Sequence, residues 1–323
     1  MAGTGRAGRI EVTSLADSES LMPEIPPSSS PSPDAAQPNA AQWKNWNRVS
    51  GPKWVRAAAV MERRLAPVND LLLARGTPRL GEAVLEIGCG TGATTLGLAE
   101  AVGATGRVLA VDISQPMLAL AKTRLAEARA THAELLEADA EIHPFPAATF
   151  DLATSRFGVM FFANPIDAFR NIGQALAREG RLCFAAWAGI EANPHWQIPF
   201  EIVRRHLGPP KPRPARLPGP LAFSDGDYVR EILIEAGFGD VTIALEPVTL
   251  AGLAAAEEAE LALLFGPSGA LVEEKQPDEA TRAAMRDELA AAFAGFAQRP
   301  GGAGLALAAT VLLARAKAPG PRS

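Results

Sequence analysis

The chain has 323 residues, 48% of them apolar and 21% charged, with a formal net charge of −5. That length buries a sizeable core in one or two domains, and the acidic balance argues against a general nucleic-acid binder, which carries a basic surplus. Two cysteines, Cys89 and Cys183, cannot build a disulfide framework, and no apolar run reaches the ~18 residues of a membrane span.

Residues 1–40 end in "PEIPPSSSPSPDAAQPNA", rich in Pro, Ser and Ala without apolar periodicity, so a disordered tail is expected. Four acids (Glu11, Asp17, Glu19 and Glu24) and the lack of an apolar signal core argue against a targeting segment. A cytoplasmic location is therefore expected, and the Ala-, Gly-, Pro- and Arg-rich usage is that of a GC-rich bacterial genome. From Gln42 to about Arg75 the apolar stripe reads as helical.

After Gly81, short apolar strands alternate with helical patterns. Strands are expected at Ala83–Ile87, Arg107–Val111, Ala133–Glu137, Asp151–Thr154 and Arg181–Ala186, with helices such as "ATTLGLAEAV" between them. Ser114 is the expected N-cap of the helix that follows the second strand, with Pro116 in its first turn. This alternation predicts an α/β, doubly wound, mostly parallel sheet. The Pro-rich "PPKPRPARLPGP" is a connection. Beyond it, Ser224 and Asp227 read as a capping box, and Val241–Leu245 as a sixth strand. Helical stretches at about Ala251–Leu264 and Pro277–Ala297 precede a last strand near Leu305–Ala314.

"VLEIGCGTGATTLGLA" carries Gly88, Gly90 and Gly92 on a strand-turn-helix junction. Read loosely it fits G-x-G-x-x-G/A, a dinucleotide fingerprint. Three acids argue for a different ligand. Glu86 stands two residues before Gly88, where it would face a pyrophosphate but would suit a cationic ligand. Asp112 ends the second strand, where a carboxylate can accept from ribose hydroxyls. Asp139, with Glu137 and Glu141 beside it, follows the third, where an acid can meet an adenine amino group. A nicotinamide-dependent oxidoreductase is further disfavoured because the only tyrosine, Tyr228, has Ile232 and not lysine four residues on.

"VLEIGCGTG", "VDIS" and "ADA" resemble the first three motifs of the class I S-adenosylmethionine-dependent methyltransferases, over about Gln42 to Ala318. "SRFGVMFFANP" and "LPGPLAFSD" are similar to stretches of the branch of bacterial ubiquinone/menaquinone C-methyltransferases. The resemblance implies a Rossmann-like, seven-stranded sheet with an antiparallel last strand, spanning residues 41–318, and a helical cap built from 190–223 and 251–298. It implies S-adenosyl-L-methionine as cofactor, with Glu86, Gly88, Gly90 and Gly92 around its methionine end. Asp112 would bind the ribose, Ile113 and Met117 would pack near the adenine, Asp139 and Ala140 would meet its edge, and Arg156 and Phe157 would border the sulfonium.

The reaction expected is transfer of a methyl group to carbon or oxygen of a small, fairly apolar metabolite. A non-catalytic S-adenosylmethionine-binding module is the alternative. His195 lies where the family lines its acceptor pocket and is the candidate general base, with stacking as its other reading. Phe157, Met160, Phe161, Phe162, Trp187 and Trp196 follow strands four and five, the end where open α/β sheets bind ligands. Trp46 and Trp54 suit a helix covering the cofactor. The basic run around Arg204, Arg205 and Arg213 is a solvated loop or an attractor for an anionic acceptor. No Cys/His spacing suggests a metal, and the expected partner is a small molecule, not nucleic acid.

Overall fold

The protein's structure, a computed structural model, describes residues 39–212, 214, 216–302 and 304–320. The expected tail lies outside the described residues as far as residue 38. Asn39 and Ala40, counted with it, belong to the fold: Asn39 is buried, and the first helix begins at Ala40.

Seven strands, β1 (Ala83–Ile87), β2 (Arg107–Asp112), β3 (Ala133–Glu137), β4 (Phe150–Arg156), β5 (Leu176–Trp187), β6 (Gly239–Ala251) and β7 (Ala306–Lys317), form one sheet. Their order is β3-β2-β1-β4-β5-β7-β6. The first five run parallel, and β7 is antiparallel to both β5 and β6. This is the Rossmann-like α/β architecture that the alternating pattern anticipates. From β1 the chain winds one way through β2 and β3, and from β4 the other way through β5. The crevice at the carboxyl ends of β1 and β4 is therefore the topological switch point, where such sheets bind ligands.

β1 lies at the centre and all five of its residues are buried, Glu86 among them, as a strand covered on both faces requires. Helices α4 (Ala93–Val102), α5 (Gln115–Glu127) and α6 (Pro165–Ala175) follow β1, β2 and β4. Phe169 of α6 is fully buried and sits 5.5 Å from Phe184, 5.9 Å from Phe162 and 6.1 Å from Phe223, ring centroid to centroid.

The N-terminal apolar stripe is three helices, not one: α1 (Ala40–Arg48), α2 (Ser50–Arg56) and α3 (Ala58–Gly76). Val49 breaks the first junction with φ −125° and ψ −71°. At Gly51 a Cβ would stand 2.0 Å from the Trp46 carbonyl oxygen and 2.5 Å from Ser114 Oγ, so only glycine lets α2 sit this close to the start of α5. Ser114 is the N-cap of α5 by position, but its hydroxyl donates to the Trp46 carbonyl at 2.8 Å and caps no amide of its own helix.

Further along, α7 (Pro194–Leu207) occupies a segment read only as part of a cap, with Pro194 in its first turn. α8 (Gly226–Glu235) is capped by Asp225, which accepts from the amides of Asp227 and Tyr228, and not by Ser224. β6 runs on to Ala251, where a helix was expected. Pro247 does not break it, because β6 is the sheet edge and one side of the strand needs no donor. The helices after it are α9 (Ala255–Leu264), α10 (Gly266–Lys275) and α11 (Glu279–Ala294). α9, α10 and α11 pack with α7, burying Met285, Leu289 and Phe293.

Candidate active site

The glycine turn joins β1 to α4. Gly88, Gly90 and Gly92 all have positive φ, at 71°, 56° and 85°. At Gly88 a side chain is also excluded by space, since a Cβ would lie 2.7 Å from Gly158 Cα. The amides of Gly88 and Cys89 donate to the Val111 carbonyl at 2.8 and 3.1 Å, binding the turn to β2. Asp112 completes the link: Oδ2 accepts from Gly90 N at 2.7 Å and Oδ1 from Ser114 N at 2.9 Å. Burial raises the Asp112 carboxyl above its ordinary range, and these amides work against that rise.

Of the three acids after β3, each has a different task. Glu137 is exposed and accepts from Gln115 Nε2 at 2.7 Å. Glu141 is buried and turned onto the amides of Ala163 and Asn164, at 2.9 and 3.1 Å; burial is the largest influence on it and raises its pKa. Asp139 faces a cavity and accepts from Asn39 Nδ2 and Glu141 N, both at 3.0 Å. Asn39 also reaches Glu141 at 3.1 Å, so one amide bridges two carboxylates.

The cavity encloses about 560 Å³, within the range of small-molecule sites. Its wall includes Gly88, Gly90, Asp112, Ile113 and Met117, and on the other side Asp139, Ala140, Arg156, Phe157 and His195. Two expected contributors, Glu86 and Gly92, are not part of that wall. Glu86 is sealed between β1 and α4, where its carboxylate accepts from Thr95 Oγ1 at 2.6 Å. Burial pushes its pKa up to about 7, opposed by that hydrogen bond and by the charge of Arg156. Gly92 instead caps α4 and packs on α5, where a Cβ would come within 3.1 Å of Ala121.

The residues missed by sequence reasoning come from the N-terminal helices. Glu62 of α3 lines the cavity beside the glycine turn, accepting from Thr91 Oγ1 at 2.8 Å and from Arg124. Asn47 donates to the Ile113 carbonyl at 2.8 Å and accepts from Gln115 N at 2.9 Å. An amide one residue before a helix end carries no sequence signal of such a role. Trp46 meets Phe161 edge-on at 5.1 Å, and Trp54 meets Phe265 at 5.6 Å, so both tryptophans stand in the cavity wall.

At the other end the wall is aromatic. Phe157, a non-glycine residue with φ 69°, stacks on Trp187 at 4.3 Å with the rings 7° apart. Trp187 in turn contacts Trp196 at 4.6 Å. His195 lies 5.8 and 5.4 Å from those two indoles, and its Nδ1 meets the Ala308 carbonyl at 3.2 Å. Burial, aided by the positive charge of Arg64, lowers the His195 pKa to about 4. The imidazole is thus neutral, and a weaker base than an ordinary histidine.

The two thiols are buried, with pKa values raised by burial, Cys183 to about 12; both are packing groups. The basic run is exposed and internally paired. Arg204 meets Glu201 at 2.7 Å, while Arg205 and His206 meet Glu288; Arg213 lies outside the described residues. Among the described residues, no group of three or more His, Cys, Asp or Glu side chains is placed to hold a metal ion.

The model of the methyltransferase domain family matches residues 84–180, from β1 into β5. The chain carries a methyltransferase domain. The sheet order and glycine turn described above fit the Rossmann-like methyltransferase fold. Aklanonic acid methyltransferase DauC of Streptomyces is 34% identical to the chain over 126 residues, 39% of this chain and 54% of that protein. The matched part of the chain thus spans about half the length of that relative. A demethylmenaquinone methyltransferase of Shouchella clausii is 28% identical over 175 residues, 50% of this chain and 73% of that one. In fold the chain resembles phosphoethanolamine N-methyltransferase 2 of Haemonchus contortus, with TM-score 0.52 and 15% identity, covering 88% of this chain and 60% of that one.

Proposed function

We propose that the protein transfers a methyl group from S-adenosylmethionine to carbon or oxygen of a small, flat, largely apolar acceptor. One observation carries the reading: a single cavity runs from the glycine turn and the Asp112 and Asp139 carboxylates to the Phe157–Trp187–Trp196 stack. The first half suits an adenosyl amino acid and the second a planar ring.

When bound, S-adenosylmethionine supplies an electrophilic methyl group on a sulfonium. The residues fit that donor: Asp112 would accept from the ribose hydroxyls, Asp139 would meet the adenine edge beside Ala140, and Ile113 and Met117 would pack on the ring. Gly88 and Gly90 keep the methionine end free of side chains. Glu86 acts from beneath, through its charge on Arg156. Arg156 and Phe157 border the reacting end, and Phe157 and Trp187 present a flat surface on which an acceptor is held in line with the methyl group and away from water. His195 serves as a neutral part of that wall, and α7 with α9–α11 caps it.

Aklanonic acid methyltransferase DauC and the demethylmenaquinone methyltransferase are named for small molecules, which supports a small-molecule acceptor here. A free small molecule also suits the net charge of −5 better than a nucleic acid does. The same reading places the protein in the cytoplasm; among the described residues no helix is long and apolar enough to cross a membrane.

Calorimetric titration with S-adenosylhomocysteine, followed by incubation with methyl-labelled S-adenosylmethionine and bacterial extract, tests the reading. Saturable binding and label in an apolar small molecule are expected. An absence of binding overturns it; binding without transfer to any compound would instead favour a non-catalytic module.

A further inference from the structure

The acceptor end of the cavity contains one buried cation. Arg64, on α3, is 9% exposed, and it lines the cavity. Its Nη2 donates to Glu258 of α9. Its Nε is buried without a partner, and among the described residues the other donors of the guanidinium find no acceptor in the protein. A guanidinium has five N–H donors, and buried donors are ordinarily paired. The Glu258 oxygen that meets Arg64 also accepts from Leu253 N at 2.7 Å.

A strut between α3 and α9 would explain one hydrogen bond and not the surplus. The other cations of the cavity are Lys53 and Arg156. Lys53 is bound to the Leu264 carbonyl at 3.2 Å and to Glu273 at 3.4 Å, and Arg156 stands beside Glu86 near the glycine turn. Through Glu258, Arg64 is tied to α9, which packs with α7, the helix that carries His195 and Trp196. A carbonyl can only accept, so the His195 Nδ1 facing Ala308 carries the proton and Nε2 keeps a lone pair. Burial and the charge of Arg64 leave that Nε2 a weak base, with a pKa of about 4.

These observations rest on the methyltransferase reading and extend it. We infer that the acceptor enters already ionised, as a planar ring bearing an anionic oxygen (a carboxylate or an ionised hydroxyl), and that Arg64 holds that oxygen against the aromatic wall. The transfer then balances without proton movement in the site. A lone pair of the anion, on oxygen or on the carbon conjugated with it, forms the new bond to the methyl carbon. The carbon–sulfur pair returns to sulfur, and anion plus sulfonium become a neutral methylated product and a neutral thioether.

The test uses the full chain loaded with S-adenosylhomocysteine and two probes of nearly one shape, 2-naphthoate and its neutral counterpart 2-naphthamide. Calorimetry should show 2-naphthoate bound at least about tenfold more tightly. In the double variant Arg64→Gln/Glu258→Gln, which removes both charges and leaves neither orphaned, the preference should fall to near unity while S-adenosylhomocysteine still binds. Arg64→Lys should retain most of the preference. Comparing 2-naphthoate with 4-nitro-1-naphthol, ionised at neutral pH, tells which kind of anionic oxygen fits better. An absence of preference in the unaltered protein, or its persistence in the double variant, overturns the inference. Failure of the unaltered protein to bind S-adenosylhomocysteine would count against the methyltransferase reading itself.

Discussion

The two halves of the cavity are built from different materials. At the glycine turn the functional groups stand at strand ends and are fixed by backbone: Asp112 by two amides, Gly88 by the Val111 carbonyl and by its contact with Gly158. At the aromatic end they stand mostly on or beside helices, and are fixed by one another: Trp187 by Phe157 and Trp196, Arg64 by Glu258. Backbone-held groups depend on the fold alone. Side-chain-held groups can be exchanged without disturbing the sheet. The difference teaches that a common donor and a changeable acceptor can be served by one cavity if each half answers to its own support.

The largest expected effect is at Glu86, sealed between β1 and α4. Its carboxyl titrates near 7 in the folded chain against an ordinary 4.5, so the unfolded chain releases the proton first as pH rises. Folding stability should therefore fall between about pH 4.5 and 7, by something of order 3 kcal/mol. Glu86→Gln should flatten that slope in urea denaturation at pH 5, 6 and 8; an unaltered slope would show that another group is responsible. Next in size, Asp112→Asn should weaken S-adenosylhomocysteine binding by roughly 10- to 100-fold, the scale of a charge-assisted hydrogen bond. Binding of 2-naphthoate should change by less than about twofold if the halves are independent.

Trp187→Ala sharpens the comparison from the other side. It should weaken 2-naphthoate about tenfold, through lost stacking area, and leave S-adenosylhomocysteine within about twofold. Equal losses for both ligands would mean that the Phe157–Trp187 stack also fixes the strand end. The smallest effect belongs to the pair Arg204→Ala and Arg205→Ala. Both residues are exposed and paired on the surface, so acceptor-probe affinity at low salt should stay within about twofold. A larger loss would revive long-range attraction of the acceptor by this run.

The same division decides what was legible before the structure. The sheet could be read because its parallel strands are apolar runs separated by helix signals, and because a glycine turn and an acid at strand ends are local patterns. Asp112 and Asp139 were found this way. Glu86 was assigned to the cavity because a sequence gives a side chain's place on a strand but not which layer lies beyond it; Thr95 of α4 captures it instead. Asn39, Asn47, Glu62 and Arg64 escaped notice because their partners are remote in sequence: Asp139, Ile113, Thr91 and Glu258. A lone polar residue on a helix looks like solvent-facing surface until its neighbour across space is known. α7 was read only as part of a cap, although Pro194 marks its first turn.

One contact of the N-terminal helices reaches beyond either half. The α1–α2 pair is seated on the start of α5 through Gly51 and Ser114, and it touches Phe161 through Trp46 and Phe265 through Trp54. A small rotation of that pair would loosen the doorway of donor and acceptor together. Whatever fills one half of the cavity is therefore roofed by the same two helices as whatever fills the other.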